Sequence, residues 1–144
     1  MKALLVNPTG LIEIVEFPEK DKLDWYYEML DCSCIDIVNP YGIDEVVETY
    51  DLKGLKGKFC LICDDEGLLK EDPQMNPIAS LLYGIDVHHG VLCGKVLVAC
   101  NEYTDDGIDS VGMTENDVFL IRAAINSLIE FHNEKVAKNG RDQV

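Results

Sequence analysis

The C-terminal quarter of the chain constrains the fold most. Val118, Ile121, Ile125, Leu128 and His132 lie along one stripe at helical spacing, preceded by Thr114 with Asp117 three residues on. The spacing predicts a helix from about Thr114 to Lys138, stopped by Asn139-Gly140. An apolar stripe that long must be buried against another layer. Short apolar runs upstream supply one. Phe59-Cys60-Leu61-Ile62-Cys63 is unbroken, as in a buried strand. Residues 2–6 and 11–17 flank the turn cluster Asn7-Pro8-Thr9-Gly10 and read as a hairpin, and Cys34–Val38 reads as a third strand. Val87–Ala99 reads as a long strand, with Gly90 and Gly94 as bulges.

Between these runs, Leu23, Tyr26, Tyr27 and Leu30 predict a short amphipathic helix over residues 20–30, with the Trp25-Tyr26-Tyr27 cluster in the core. Asn76 is an N-cap and Pro77 a first helical residue, which predicts a helix to Leu82, ended by Gly84. Residues 43–50 are ambiguous. Their β-branched content favours a strand, while their acidic spacing also suits a helical turn or two. Residues 101–112 read as an acidic loop. The expected fold is α+β: a mostly antiparallel sheet with two or three helices on one face, the long one C-terminal. One globular domain is expected over residues 1–140, with 141–144 as a flexible tail, since 144 residues is about one domain.

Charge narrows the function. Twenty-seven acidic and twelve basic residues leave a net of −15. Such a chain repels phosphate backbones, so direct nucleic-acid binding is not expected. No apolar stretch approaches a membrane span, and the N-terminus turns polar too quickly for a signal peptide. A cytoplasmic protein is expected. Residues 13–51 carry 12 acids and 2 bases, a net of −10, so two-thirds of the excess sits in the first third.

Six cysteines in a chain read as cytosolic are thiols before they are disulfides. The pairs Cys32-x-Cys34 and Cys60-x-x-Cys63 invite a zinc reading. On a strand, however, Cys60 and Cys63 point to opposite faces, no Gly makes a knuckle between them, and no further ligands are evident. Core thiols are expected, without metal or cofactor. Asp64-Asp65-Glu66-Gly67 and Asp105-Asp106-Gly107-Ile108-Asp109 lack the ligand repeat of a calcium loop. Neither a phosphate-binding glycine loop nor a nucleophile elbow occurs. His88-His89 is the one adjacent pair that titrates near neutrality, but neighbours on a strand face opposite ways. His132 suits the edge of the core. No catalytic set is visible, so an enzyme is not expected.

Several segments, taken in order, resemble a known family. They are Met1-Lys2-Ala3-Leu4-Leu5-Val6, Ile35-Asp36-Ile37-Val38, Leu61-Ile62-Cys63-Asp64-Asp65-Glu66-Gly67, Asn76-Pro77-Ile78-Ala79, His89–Val98 and Met113-Thr114-Glu115. Together they are similar to a "domain of unknown function" family of small proteins from phages, prophages and conjugative elements of Gram-positive bacteria. The matching order covers roughly residues 1–120. The family pattern has Asn where Asp64 stands, residues 41–57 look like an insertion, and the C-terminal helix is longer than usual. The resemblance implies a mobile-element setting near antirestriction genes, and it carries over no catalytic residues.

Two functions are therefore expected. The leading one is a non-enzymatic protein that binds a host protein with a basic surface, as an anti-defence mimic of nucleic acid against a restriction or CRISPR effector. Its surface would comprise Glu13, Glu16, Asp21, Asp24, Glu28, Asp44, Glu45 and Glu48. The alternative is a protein that binds or sequesters a nucleotide signal through Asn76, Tyr83, His88, His89 and Lys95, in the near-neutral middle region.

Overall fold

The computed structural model describes residues 1–50, 54–85 and 90–142. Six strands form one sheet: β1 Lys2–Val6, β2 Ile12–Glu16, β3 Ile35–Val38, β4 Phe59–Asp64, β5 Val96–Thr104 and β6 Gly107–Val111. The order is β2-β1-β5-β4-β3, with β6 paired to the far end of β5, and every pairing is antiparallel. The described helices are α1 Lys22–Leu30, α2 Tyr41–Tyr50, α3 Pro77–Tyr83 and α4 Glu115–Asp142, with a 3₁₀ turn at Gly67–Leu69. This is the expected α+β architecture. No helix among the described residues is long and apolar enough to cross a membrane.

The strand period of two sorts the sheet into two faces. Leu4, Val6, Leu61, Cys63, Val96, Val98 and Cys100 point to one side, where α2, α3 and α4 pack. Ala3, Leu5, Cys60, Ile62, Leu97 and Ala99 point to the other, where α1 supplies Tyr26 and Leu30. Helices therefore cover both faces, not one. The reason is visible in β4, which is buried along Phe59–Cys63 and so needs cover on each side. Cys60 and Cys63 lie on opposite faces, as their spacing required.

Residues 41–50 form a helix, not a strand. Ile43, Val46 and Val47 recur at helical spacing and are buried in the core where α2 packs on α3 and α4, which outweighs their β-branched preference. Gly42 lets α2 approach α3: a Cβ there would lie 2.0 Å from the Leu81 carbonyl oxygen. The segment resembling an insertion thus builds one wall of the core, through α2 and Leu55. Residues 51–53 lie outside the described residues.

Three further expectations shift. Of the strand expected over Val87–Ala99, residues 90–95 are not strand and β5 begins at Val96, after Gly94 turns the chain at φ +80°; residues 86–89 lie outside the described residues. The supposed acidic loop at 101–112 is largely a hairpin, with Glu102 opposite Asp109 and Tyr103 opposite Ile108. Helix α4 runs through Asn139-Gly140 to Asp142, into the segment read as a tail, and 143–144 lie outside the described residues. The start of α4 is as expected. Thr114 Oγ1 accepts from the Asp117 N–H at 3.1 Å, and Asp117 accepts from the Thr114 N–H at 2.9 Å.

Candidate functional site

One end of the sheet carries a cleft of about 260 Å³ between the end of β4, the β3 edge and residues 90–93. Asp36 and Val38 line it from β3, Cys63 and Asp64 from β4, and Tyr83 from the end of α3. The roof is a strap anchored to α3. The Leu92 N–H donates to Ser80 Oγ at 3.0 Å, Met75 bridges Cys93, and the Gly94 N–H donates to the Gln74 carbonyl at 2.7 Å. Gly67 permits the closure, since a Cβ there would sit 3.0 Å from the Cys93 carbonyl oxygen.

The cleft is acidic, and part of that acidity is already paired. Asp64 accepts from the Glu66 N–H at 3.0 Å and from Lys70 Nζ at 3.0 Å, with its side chain buried. The Asp64 partner pushes the Lys70 ammonium above its ordinary value. Burial pushes the Cys63 thiol up to about 12, so it stays protonated near neutrality and is a poor nucleophile. Cys100 is likewise pushed to about 12, by burial and then by the nearby Asp117 carboxylate, 3.7 Å away. All six cysteines are free thiols. Among the described residues, no three His, Cys, Asp or Glu side chains converge as metal ligands do.

Of the residues expected to hold a nucleotide, the three that are described do not share one cleft. Tyr83 lines this one. Lys95 lies in a neighbouring hollow of about 250 Å³, with Lys70, Asp31 and Asp72, beyond the shared wall of Asp64 and Gly67. Asn76 is fully buried and bound to structure. Its amide nitrogen donates to the Val6 and Gly94 carbonyls, both at 2.9 Å, while its oxygen accepts from the Ala79 N–H at 3.1 Å. Both amide protons are committed. His88 and His89 lie outside the described residues.

The acidic residues divide between the two sides of the sheet. Glu13 pairs across from Leu5 and so shares the face covered by α1. Asp21, Asp24 and Glu28 lie at and along α1, all exposed and spaced to form one stripe. Glu16 lies on the other face, bonded to Lys2, whose ammonium lowers its pKa. Asp44 and Glu45 ride on α2, and Glu45 meets Lys135 of α4 at 3.5 Å. The side chain of Glu48 lies outside the described residues.

One polar node escaped sequence reasoning. Lys58 Nζ meets Asp117 at 2.9 Å, tying the start of β4 to the cap of α4. Burial raises the Asp117 pKa, but Lys58 and the Thr114 donors outweigh it and hold the carboxyl below its ordinary value. The capping spacing marked Asp117, but no local signal marked Lys58 as its partner. Asp36 in the cleft was signalled only by its place between two isoleucines.

Sheet order and helix placement define a small α+β domain with an acidic cleft at one end of its sheet. The sequence pattern of the family described as Domain of unknown function (DUF3846) matches residues 1–124, and the chain belongs to that family. No curated protein and no solved structure matches it.

Proposed function

We propose that this is a small acidic protein of a phage or other mobile element that binds and modulates a host protein with a basic surface. In its most concrete form it is an anti-defence inhibitor that mimics nucleic acid in the groove of a restriction or CRISPR effector. One observation carries the reading. Asp24 and Glu28 stand four residues apart on the outer side of α1, exposed and without an ion-pair partner among the described residues. Asp21 and Glu13 extend this negative surface on the same side of the sheet. Unpaired carboxylates on a rigid helix are presented without first breaking internal bridges. The nucleotide-binding alternative has less support, because Asp36, Asp64 and Asp65 in the cleft repel an anionic ligand.

The test is displacement of labelled duplex DNA from a purified restriction or CRISPR effector at fixed salt. Reversing Asp24 and Glu28 to Lys should abolish displacement. Reversing Asp105 and Asp106, the exposed turn of the β5–β6 hairpin, changes net charge equally and should leave most of it. Equal behaviour of the two variants would reduce the acidity to a solubility device.

A further inference from the structure

Helix α4 carries a second stripe beside the one it buries. Glu115, Val118, Phe119, Arg122, Ala123 and Asn126 recur at i, i+3, i+4, i+7, i+8 and i+11 and line a shallow groove of about 370 Å³. Val118 forms the floor at 8% exposure, while Phe119 stands 69% exposed. Arg122 is one of two arginines in a chain of net charge −15. Neither Arg122 nor Glu115 forms an ion pair or side-chain hydrogen bond among the described residues. An aromatic and an arginine left exposed together, amid a surplus of carboxylates that could pair the arginine, form the pattern of an interface anchor.

We propose that this face of α4 is a homodimer contact, covered by the same face of a second copy running antiparallel. The charge pattern selects that occupant. A two-fold axis between positions 118 and 119 sets Glu115 of each copy opposite Arg122 of the other, and Phe119 opposite Val118. Each copy thus supplies both the acid and the base, with the apolar pair between them. A basic partner would meet the like charge of Arg122. An acidic one would meet the like charge of Glu115. A second copy satisfies both ends at once.

In that register the two helices overlap from position 115 to position 122, about 10 Å of helix. A contact this short falls among small interfaces, below about 1,200 Å² in total, so the dimer is weak and concentration-dependent. Its salt response has a definite sign. Two bodies of net −15 repel over a Debye length, which shrinks from about 30 Å at 0.01 M salt to about 8 Å at 0.15 M. Adding salt over that range tightens the dimer. Binding to a basic host protein weakens over the same range, so the two proposals fail separately.

Sedimentation velocity on the whole chain tests this. At 0.15 M salt the mean mass should rise with concentration from 16.1 kDa towards twice that value. Glu115→Arg and Arg122→Glu should each remain monomeric, with melting curves like the parent's. A one-to-one mixture of the two should associate again, because one copy then carries two bases and the other two acids. The double variant E115R/R122E should associate alone. Phe119→Ser tests the apolar centre without changing charge and should also remain monomeric. A parent that stays monomeric at millimolar concentration overturns the proposal. So do single variants that dimerise like the parent, or a mixture that does not recover.

Discussion

Substituting Asn76 separates its two structural tasks. Asn76→Ala removes the cap of α3, worth about 1 kcal/mol. It also strips donors from two backbone carbonyls. The Val6 carbonyl bond is buried, and losing its donor costs about 1–3 kcal/mol; the part-buried Gly94 carbonyl can regain water and costs less. The sum is about 3 kcal/mol. Asn76→Asp keeps the acceptor for the Ala79 N–H but turns a bare oxygen towards both carbonyls. If capping were the whole role, Asp would be nearly neutral. If the carbonyls matter, it is at least as damaging as Ala. Urea unfolding at pH 7 reads the difference. With a slope of about 2 kcal/mol per molar, 3 kcal/mol lowers the midpoint by about 1.5 M. The carboxyl introduced at position 76 has a folded pKa raised above about 3.9, because only its protonated form can donate. Its deficit relative to the parent is therefore smallest below the unfolded pKa and grows as pH rises through the folded one. An Asn76→Asp protein with the parental midpoint at pH 7 would refute the assignment and return Asn76 to the list of ligand candidates.

Two further outcomes are expected. Ile125→Ala should cost about 2–4 kcal/mol in the same unfolding assay, since Ile125 is buried between α4 and the sheet; a change below about 0.5 kcal/mol would mean that the stripe is not packed. Asp117, with its lowered folded pKa, contributes stability above its unfolded value of about 3.9 that is lost as pH falls through the folded one. Asp117→Asn should therefore flatten the acid limb of the stability–pH profile, and equal slopes for parent and variant would show that the pair with Lys58 carries no linkage.

The parts of the fold that were legible are those that local chemistry decides. Asn76-Pro77 and Thr114 with Asp117 set helix starts within four residues of chain, and both caps form as read. Asn7 to Gly10 joins β1 to β2 for the same reason. Residues 43–50 stayed open between strand and helix because Val46 and Val47 prefer strands locally, while their packing with α3 and α4 exists only in the folded chain. The β5–β6 hairpin was hidden by its acids. Tyr103 and Ile108 are opposite each other, but the carboxylates around them read as loop. The cover on both faces was in principle legible. An unbroken run from Phe59 to Cys63 has no side to leave in water, and that requirement outranked any count of helices.

Charge behaved differently. Composition showed the excess, but not which carboxylates remain unpaired, because pairing is set by contacts far apart in the chain. Glu16 finds Lys2 across a hairpin, Asp109 finds Lys22 from the other end of the molecule, and Glu45 finds Lys135 between two helices. Each of these removes an acid from any surface offered to a partner, or makes it available only after a bridge breaks. α2 is therefore a poor place to test an acidic surface. Reversing Glu45 would disturb the contact between α2 and α4 as well as the surface, so a loss of binding there would have two explanations. Asp109 is equally unsuitable as a control, because its bond to Lys22 joins β6 to α1. Asp24 and Glu28 on α1, and Asp105 and Asp106 at the β5–β6 turn, survive the subtraction; the two pairs are equal in charge, exposed and outside the core. Only their positions differ, and position is the variable that separates a recognition surface from a solubilising one.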